Sequence, residues 1–122
     1  AKERKRAERE AVTDRRRTER RERTETLDEA LRLAELWLRD LLCVRAGAPE
    51  LIYAVDRAGE LEAFAARARE QTDPEHLHAA IELIGDTRLS LAQNVSEELA
   101  LEALAYRLAA GAAIGPRFAS RP

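Results

Sequence analysis

Apolar side chains enter this chain abruptly at Leu27. Residues 1–25 are almost solid Arg, Lys and Glu. From there Leu27, Leu31, Ala34, Leu38 and Leu41 recur at steps of four, three, four and three, which keeps them on one side of an α-helix. The pattern predicts a first helix from about Lys2 to about Ala46, with Gly47 at its C-terminal cap and Pro49 preventing continuation. At about 1.5 Å per residue it is roughly 65 Å long, more than so small a core can cover. Extended backwards, the stripe meets Thr24, Arg20, Arg17, Thr13 and Glu10, all polar, so the first half carries no coiled-coil seam. It is expected to be a solvated strut. Opposite charges at helical spacing (Arg4–Glu8, Arg6–Glu10, Arg15–Glu19, Glu19–Arg23, Arg21–Glu25) each add about 0.2–0.5 kcal/mol and together hold such a helix in water.

Beyond Gly47 the pattern shortens. Residues 47–58 are expected to form a connection with Leu51, Ile52, Tyr53 and Val55 tucked beneath it. A second helix is predicted from about Gly59 to Gln71, offering Leu61, Phe64, Ala65 and Ala68 inward. Asp73-Pro74 is a start signal, an N-cap acceptor followed by Pro at the first helical position. The third helix then runs to about Gln93, with Leu77, Ile81, Ile84 and Leu91 on its inward row. Asn94-Val95-Ser96 forms a corner with Ser as the next cap. The fourth helix covers about Glu97 to Ala110 and ends at Gly111. The expected organisation is a charged arm over 1–26, a helical bundle over 27–110 and a flexible tail over 111–122. The fold class is all-α: a small bundle of four to five helices with a long charged N-terminal helix projecting from it.

Composition agrees. Charged residues are 36% and aromatics 4%, with Leu and Ala dominating the apolar set, the balance of a helical core. Residues 1–25 hold 11 basic and 7 acidic side chains, a net of +4, and the other 97 hold 10 and 16, a net of −6. A basic arm on an acidic body favours nucleic acid, but its charges alternate in sign along the sequence, which licenses only a modest salt-sensitive affinity. The single Cys43 precludes an internal disulfide and suits a reducing compartment, the cytoplasm. No apolar run is long enough to span a bilayer. The chain begins with Ala and contains no Met, as expected of a piece of a longer protein.

The fourth helix is the second informative element. Leu99, Leu101, Leu104, Tyr106 and Leu108, with intervening alanines, place apolar groups nearly all round it, interrupted by Glu102 and Arg107. A helix apolar on every side requires cover on every side, either by a central position or by another chain. Arg88 stands where the row Ile84–Leu91 asks for an apolar group, so it needs a carboxylate or a partner surface; Asp40 and Glu102 are the candidate partners. Arg39 and Asp40 are framed by large apolar groups, and Trp37 is the expected core anchor. His76 and His78 are two apart and point to different sides of a helix, so no metal site is expected. Neither a phosphate loop nor a nucleophile motif occurs, and no catalytic residue or cofactor is expected.

Two segments carry a family resemblance. Leu33-Ala-Glu-Leu-Trp37-Leu-Arg39-Asp40-Leu-Leu42 resembles the apolar-Trp-Leu-Arg-Asp-Leu-Leu helix in the C-terminal domain of the bacterial DNA polymerase III delta prime subunit. Leu91-Ala-Gln-Asn94-Val95-Ser-Glu-Glu-Leu99-Ala-Leu101-Glu102-Ala-Leu104 resembles the Leu-x-x-Asn-Val corner and following helix of the same domain. The likeness covers about residues 27–110. It implies an all-helical collar domain of a bacterial cytoplasmic clamp loader, packed against the delta and gamma/tau subunits in the ring that loads the sliding clamp onto primed DNA. On this basis Arg88, Leu99, Leu101, Tyr106 and Arg107 are expected at a subunit interface, with DNA met at most indirectly or weakly through the arm. The family's AAA+ module, with its zinc-binding cysteines and Ser-Arg-Cys segment, has no counterpart in these residues.

Two other functions compete. One is a basic-arm nucleic-acid-binding module, whose affinity would fall steeply with salt. The other is a small all-helical enzyme resembling the helical chorismate mutases, which would need Arg39 and Arg88 to converge on one anion-binding cavity.

Overall fold

A computed structural model describes the backbone of residues 1–93 and 95–119, and side chains as far as Ala110 except at Asn94. It is all-α, with no strand among the described residues: α1 spans Lys2–Arg45, α2 Ala58–Arg67, α3 Pro74–Ala92 and α4 Glu97–Ala119. Two single 3-10 turns, Pro49–Leu51 and Val55–Arg57, fill the connection between α1 and α2.

The predicted helix boundaries hold where capping chemistry sets them. After α1, Gly47 adopts φ +76°, its N–H reaches Val44 O at 3.2 Å, and Ala48 N–H reaches Cys43 O at 2.9 Å. This paired closure favours a residue without a Cβ at the left-handed position. Asp73 caps α3 by accepting from Glu75 N–H at 3.3 Å, with Pro74 behind it. Ser96 Oγ accepts from Leu99 N–H at 3.5 Å at the start of α4.

Two ends differ from the prediction. α2 stops at Arg67, four residues early, because the chain turns at Ala68 (φ −115°, ψ 52°). There Thr72, almost fully buried, donates its hydroxyl to Ala68 O at 2.7 Å and so occupies a carbonyl at the helix end. Arg45 Nε–H reaches over from α1 to Thr72 O at 3.1 Å and ties the turn down. α4 does not end at Gly111 but continues to Ala119. Ala109, Ala110, Ala112 and Ala113 are the strongest helix formers and carry the helix past Gly111, which alone costs about 1 kcal/mol; helix propensity does not explain its passage through Gly115 and Pro116. The predicted corner at Asn94 and the last part of the tail, 120–122, lie outside the described residues.

Leu41, Ile52, Leu61, Ala65 and Leu77 form the buried core, with Trp37, Leu38, Leu42, Cys43, Val44 and Ala58 packed against it. Trp37 meets Phe64 edge to face, ring centroids 6.5 Å apart. Ile84 and Leu91 on α3 and Ala100 and Leu104 on α4 are also buried. Thus α3 packs on the second half of α1, α4 packs on α3, and residues 1–23 of α1 remain exposed throughout.

Candidate interaction surface

The geometry around Arg88 decides what that residue is for. Its Nε donates to Asp28 Oδ1 at 2.8 Å, Nη2 to Asp28 Oδ2 at 3.3 Å, and Nη1 to Glu35 Oε2 at 3.2 Å. Asp28 and Glu35 stand seven residues apart on α1, hence two turns apart on nearly the same face, beside the apolar row. The hydrogen bond from Arg88 holds the Asp28 carboxyl below its ordinary pKa, and Asp28 in turn raises the guanidinium further. The expected partners were Asp40 and Glu102, and neither takes part. Arg88 bridges α1 and α3 within the chain.

Asp40 has a different task. It is 4% exposed and accepts from the backbone N–H of Tyr53 at 2.7 Å and of Ala54 at 3.0 Å. The carboxylate thereby satisfies two donors of the connection that no helix or sheet would satisfy. Pinned this way, the connection buries Ile52 alone. Leu51, Tyr53 and Val55 are 70%, 77% and 72% exposed, contrary to the expectation that they would tuck beneath it. Ile52 is extended between the two turns (φ −67°, ψ 145°), and successive extended residues point to opposite sides, so an inward Ile52 turns Leu51 and Tyr53 outward.

At the other end of the bundle, Glu97 in the first turn of α4 accepts from Thr24 Oγ1–H at 2.6 Å and from Arg23 Nε–H at 2.8 Å. These two bonds, Thr24 first, pull the Glu97 carboxyl below its ordinary pKa. They also anchor α4 to the base of the arm.

Between these fixed points lies the surface of α4. Ala100 and Leu104 turn inward and are buried. Leu99, Ala103, Tyr106 and Ala110 follow one another at steps of four, three and four, forming a second apolar row on the same helix. Leu99 is 64% exposed and Tyr106 72%, while Ala103 and Ala110 are half-buried. Of the predicted interface residues, Leu99, Tyr106 and Arg107 are at the surface, Leu101 is half-buried, and Arg88 is engaged inside. Glu102 is exposed next to the row. Arg107 and Leu108 line a shallow groove of about 170 Å³ with His76, Ala79, Ala80 and Leu83 of α3.

Arg39 is exposed and Arg88 is bound by two carboxylates, so this pair does not build the cationic cavity a chorismate-mutase-like enzyme requires. Among the described residues no His, Cys, Asp and Glu group is arranged to hold a metal ion, and no helix is long and apolar enough to cross a membrane. No protein-family model, no curated protein and no solved structure matches this chain.

Sequence reasoning missed Asp28 and Glu35 as partners of Arg88, and the Arg23–Thr24–Glu97 tie. The first had a usable signal, two acids seven apart on the edge of the α1 row facing a misplaced cation. The second joins residues 73 and 74 positions apart and had none.

Proposed function

We propose that this chain is a non-enzymatic subunit-packing domain, the collar domain of a delta prime-type subunit in a bacterial clamp loader. In that assembly it holds the delta and gamma/tau subunits together while the sliding clamp is loaded onto primed DNA in the cytoplasm. The observation that carries this is the row Leu99–Ala103–Tyr106–Ala110, an apolar helix face whose two large side chains, Leu99 and Tyr106, its own bundle leaves open. Burying a large apolar side chain is worth about 1.5–3 kcal/mol, so Leu99 and Tyr106 together offer a neighbour's helix a substantial gain. Tyr106 is the kind of residue that anchors interfaces, with an apolar ring and a polar tip. Helix-on-helix packing of this sort is also what the two resembling segments imply. The first of them has a physical reason for its pattern here: Trp37 packs on Phe64 while Asp40 pins the connection.

The experiment is co-elution of the chain with the collar domains of delta and gamma/tau in size-exclusion chromatography. Leu99→Asp with Tyr106→Asp abolishes association and leaves helicity by circular dichroism unchanged. A wild-type chain that stays alone in every mixture overturns the proposal.

A further inference from the structure

Helical geometry sorts the charges of the arm, although they alternate along the sequence. At about 100° per residue, Lys2, Lys5, Arg9, Arg16, Arg20 and Arg23 stack within an arc of roughly 60°. Arg6 and Arg17 flank them and widen the arc to about 120°. All 7 acidic residues of positions 1–25 fall on the rest of the circumference. The cationic row runs in register into the apolar one, since Leu27 follows Arg23 by four. One face of α1 is therefore basic over its first half and apolar over its second, and the bundle packs on the apolar part through Leu38 and Leu41.

This row is largely unneutralised. Arg6 meets Glu10 at 3.5 Å in full exposure, and Arg23 meets Glu97 at 2.8 Å. Among the described residues no carboxylate pairs with Lys2, Lys5, Arg9, Arg16, Arg17 or Arg20. Of the five helical-spacing pairs expected in the arm, only Arg6–Glu10 forms. Arg17 and Arg20 line an open groove of about 650 Å³ where the arm leaves the body, with Arg21, Thr24, Glu25, Leu91 and Ala92.

We propose that this face docks the phosphate backbone of duplex nucleic acid without reading its sequence. From Lys2 to Arg23 the helix rises about 32 Å, close to one duplex turn, and presents cations at nearly every helical turn. A straight row of fixed cations suits a polymer of fixed, evenly repeated anions. A protein partner would need an apolar centre for its interface, and the only large apolar side chain in the arm is Val12, at the edge of the row. Single strands are gripped by stacking on aromatic rings, and residues 1–25 contain none. They also contain no Asn or Gln to read base edges. The acidic body repels a polyanion, which confines the contact to the arm.

The test is fluorescence anisotropy of the whole chain with a 20-base-pair duplex across a salt series. Six unpaired cations predict a slope of log K against log salt of about −5. The triple change R9Q/R16Q/R20Q on the row reduces that slope by about 3 and weakens binding more than about tenfold at 0.1 M salt. The double change R4Q/R15Q removes charge from the opposite face of the arm and changes affinity by less than about threefold. R9K/R16K/R20K retains binding, which separates charge from shape, and circular dichroism confirms helicity throughout. Equal loss per charge removed in the two glutamine variants, tighter binding to a single strand of the same length, or salt-sensitive self-association in place of duplex binding each overturns the proposal. Leu99→Asp leaves duplex binding unchanged, so failure of the packing role and failure of the arm's role are read separately.

Discussion

Arg88 and Asp28, 60 residues apart, meet fork to fork across α1 and α3, with Nε–Oδ1 at 2.8 Å and Nη2–Oδ2 at 3.3 Å. The contact lies where the apolar row of α1 begins, one residue past Leu27. It replaces an apolar contact with a directional one. A hydrophobic residue at position 88 would leave the two helices free to slide, whereas a bidentate pair fixes their register.

The strength of that bridge follows from its exposure. The side chains of Arg88 and Asp28 are 27% and 43% accessible, and that of Glu35 13%. Exposed pairs contribute roughly 0.2–1 kcal/mol, and breaking a buried one costs about 3–5. Arg88→Met therefore destabilises the chain by about 1 kcal/mol, and Arg88→Glu by more, because three carboxylates then crowd one site. Urea unfolding checks both, with the midpoint falling and the slope unchanged.

The same bridge sets a dependence on acid. Asp28 titrates below its ordinary value of 3.8 when folded, so the unfolded chain takes up protons first as pH falls. Its contribution is fully present above about pH 5, shrinks as pH drops through about 4, and is gone once the folded carboxyl is itself protonated. Unfolding midpoints of the wild type measured from pH 6 to pH 3 should decline more steeply than those of Asp28→Asn. Parallel curves would show that the Arg88 contact does not favour the ionised carboxylate.

Much of this architecture was legible in the sequence, for identifiable reasons. The α1 row, the Gly47 cap and the Asp73-Pro74 start are local signals, and each maps onto one hydrogen-bond pattern. The apolar excess of α4 was legible as well, because Leu99 and Leu104 cannot both face α3. What failed was tertiary or irregular. Leu51, Tyr53 and Val55 look like core by composition, but Asp40 fixes a backbone path that turns them outward. The partners of Arg88 left one trace, two acids seven apart beside the α1 row, but choosing them over Asp40 and Glu102 required knowing how α1 crosses α3. The cationic row was hidden by counting charges along the chain instead of around the helix.

Asp40 gives a prediction of larger size. Removing a buried acceptor leaves the N–H groups of Tyr53 and Ala54 without partners, and each such loss costs about 1–3 kcal/mol. Asp40→Ala is expected to destabilise by about 3 kcal/mol. Asp40→Asn should fall between, because one of its two terminal atoms is a donor facing a donor. Amide hydrogen exchange at residues 53 and 54 is the direct measurement. It should accelerate selectively in both variants while the amides of α3 stay protected. Uniform acceleration would assign Asp40 a global role.

Leu104 and Leu99 share one helix and one chemistry, and their environments differ only in which way they face. Leu104 is 7% exposed against α3, and Leu99 is 64% exposed. Leu104→Ala loses both transfer free energy and packing, a cost of about 2–4 kcal/mol. Leu99→Ala removes a side chain that already meets water and costs less than about 0.5 kcal/mol in the isolated chain. The two should exchange places in an assembly. If neighbouring subunits cover the Leu99–Tyr106 row, Leu99→Ala raises the dissociation constant by roughly tenfold, the equivalent of about 1.4 kcal/mol, with stability untouched. Sedimentation of the chain with its partners, paired with urea unfolding of the chain alone, measures both quantities on the same two variants. An inverted order of stabilities would mean that α4 is rotated from the orientation described, and the open row would then lie on a different face.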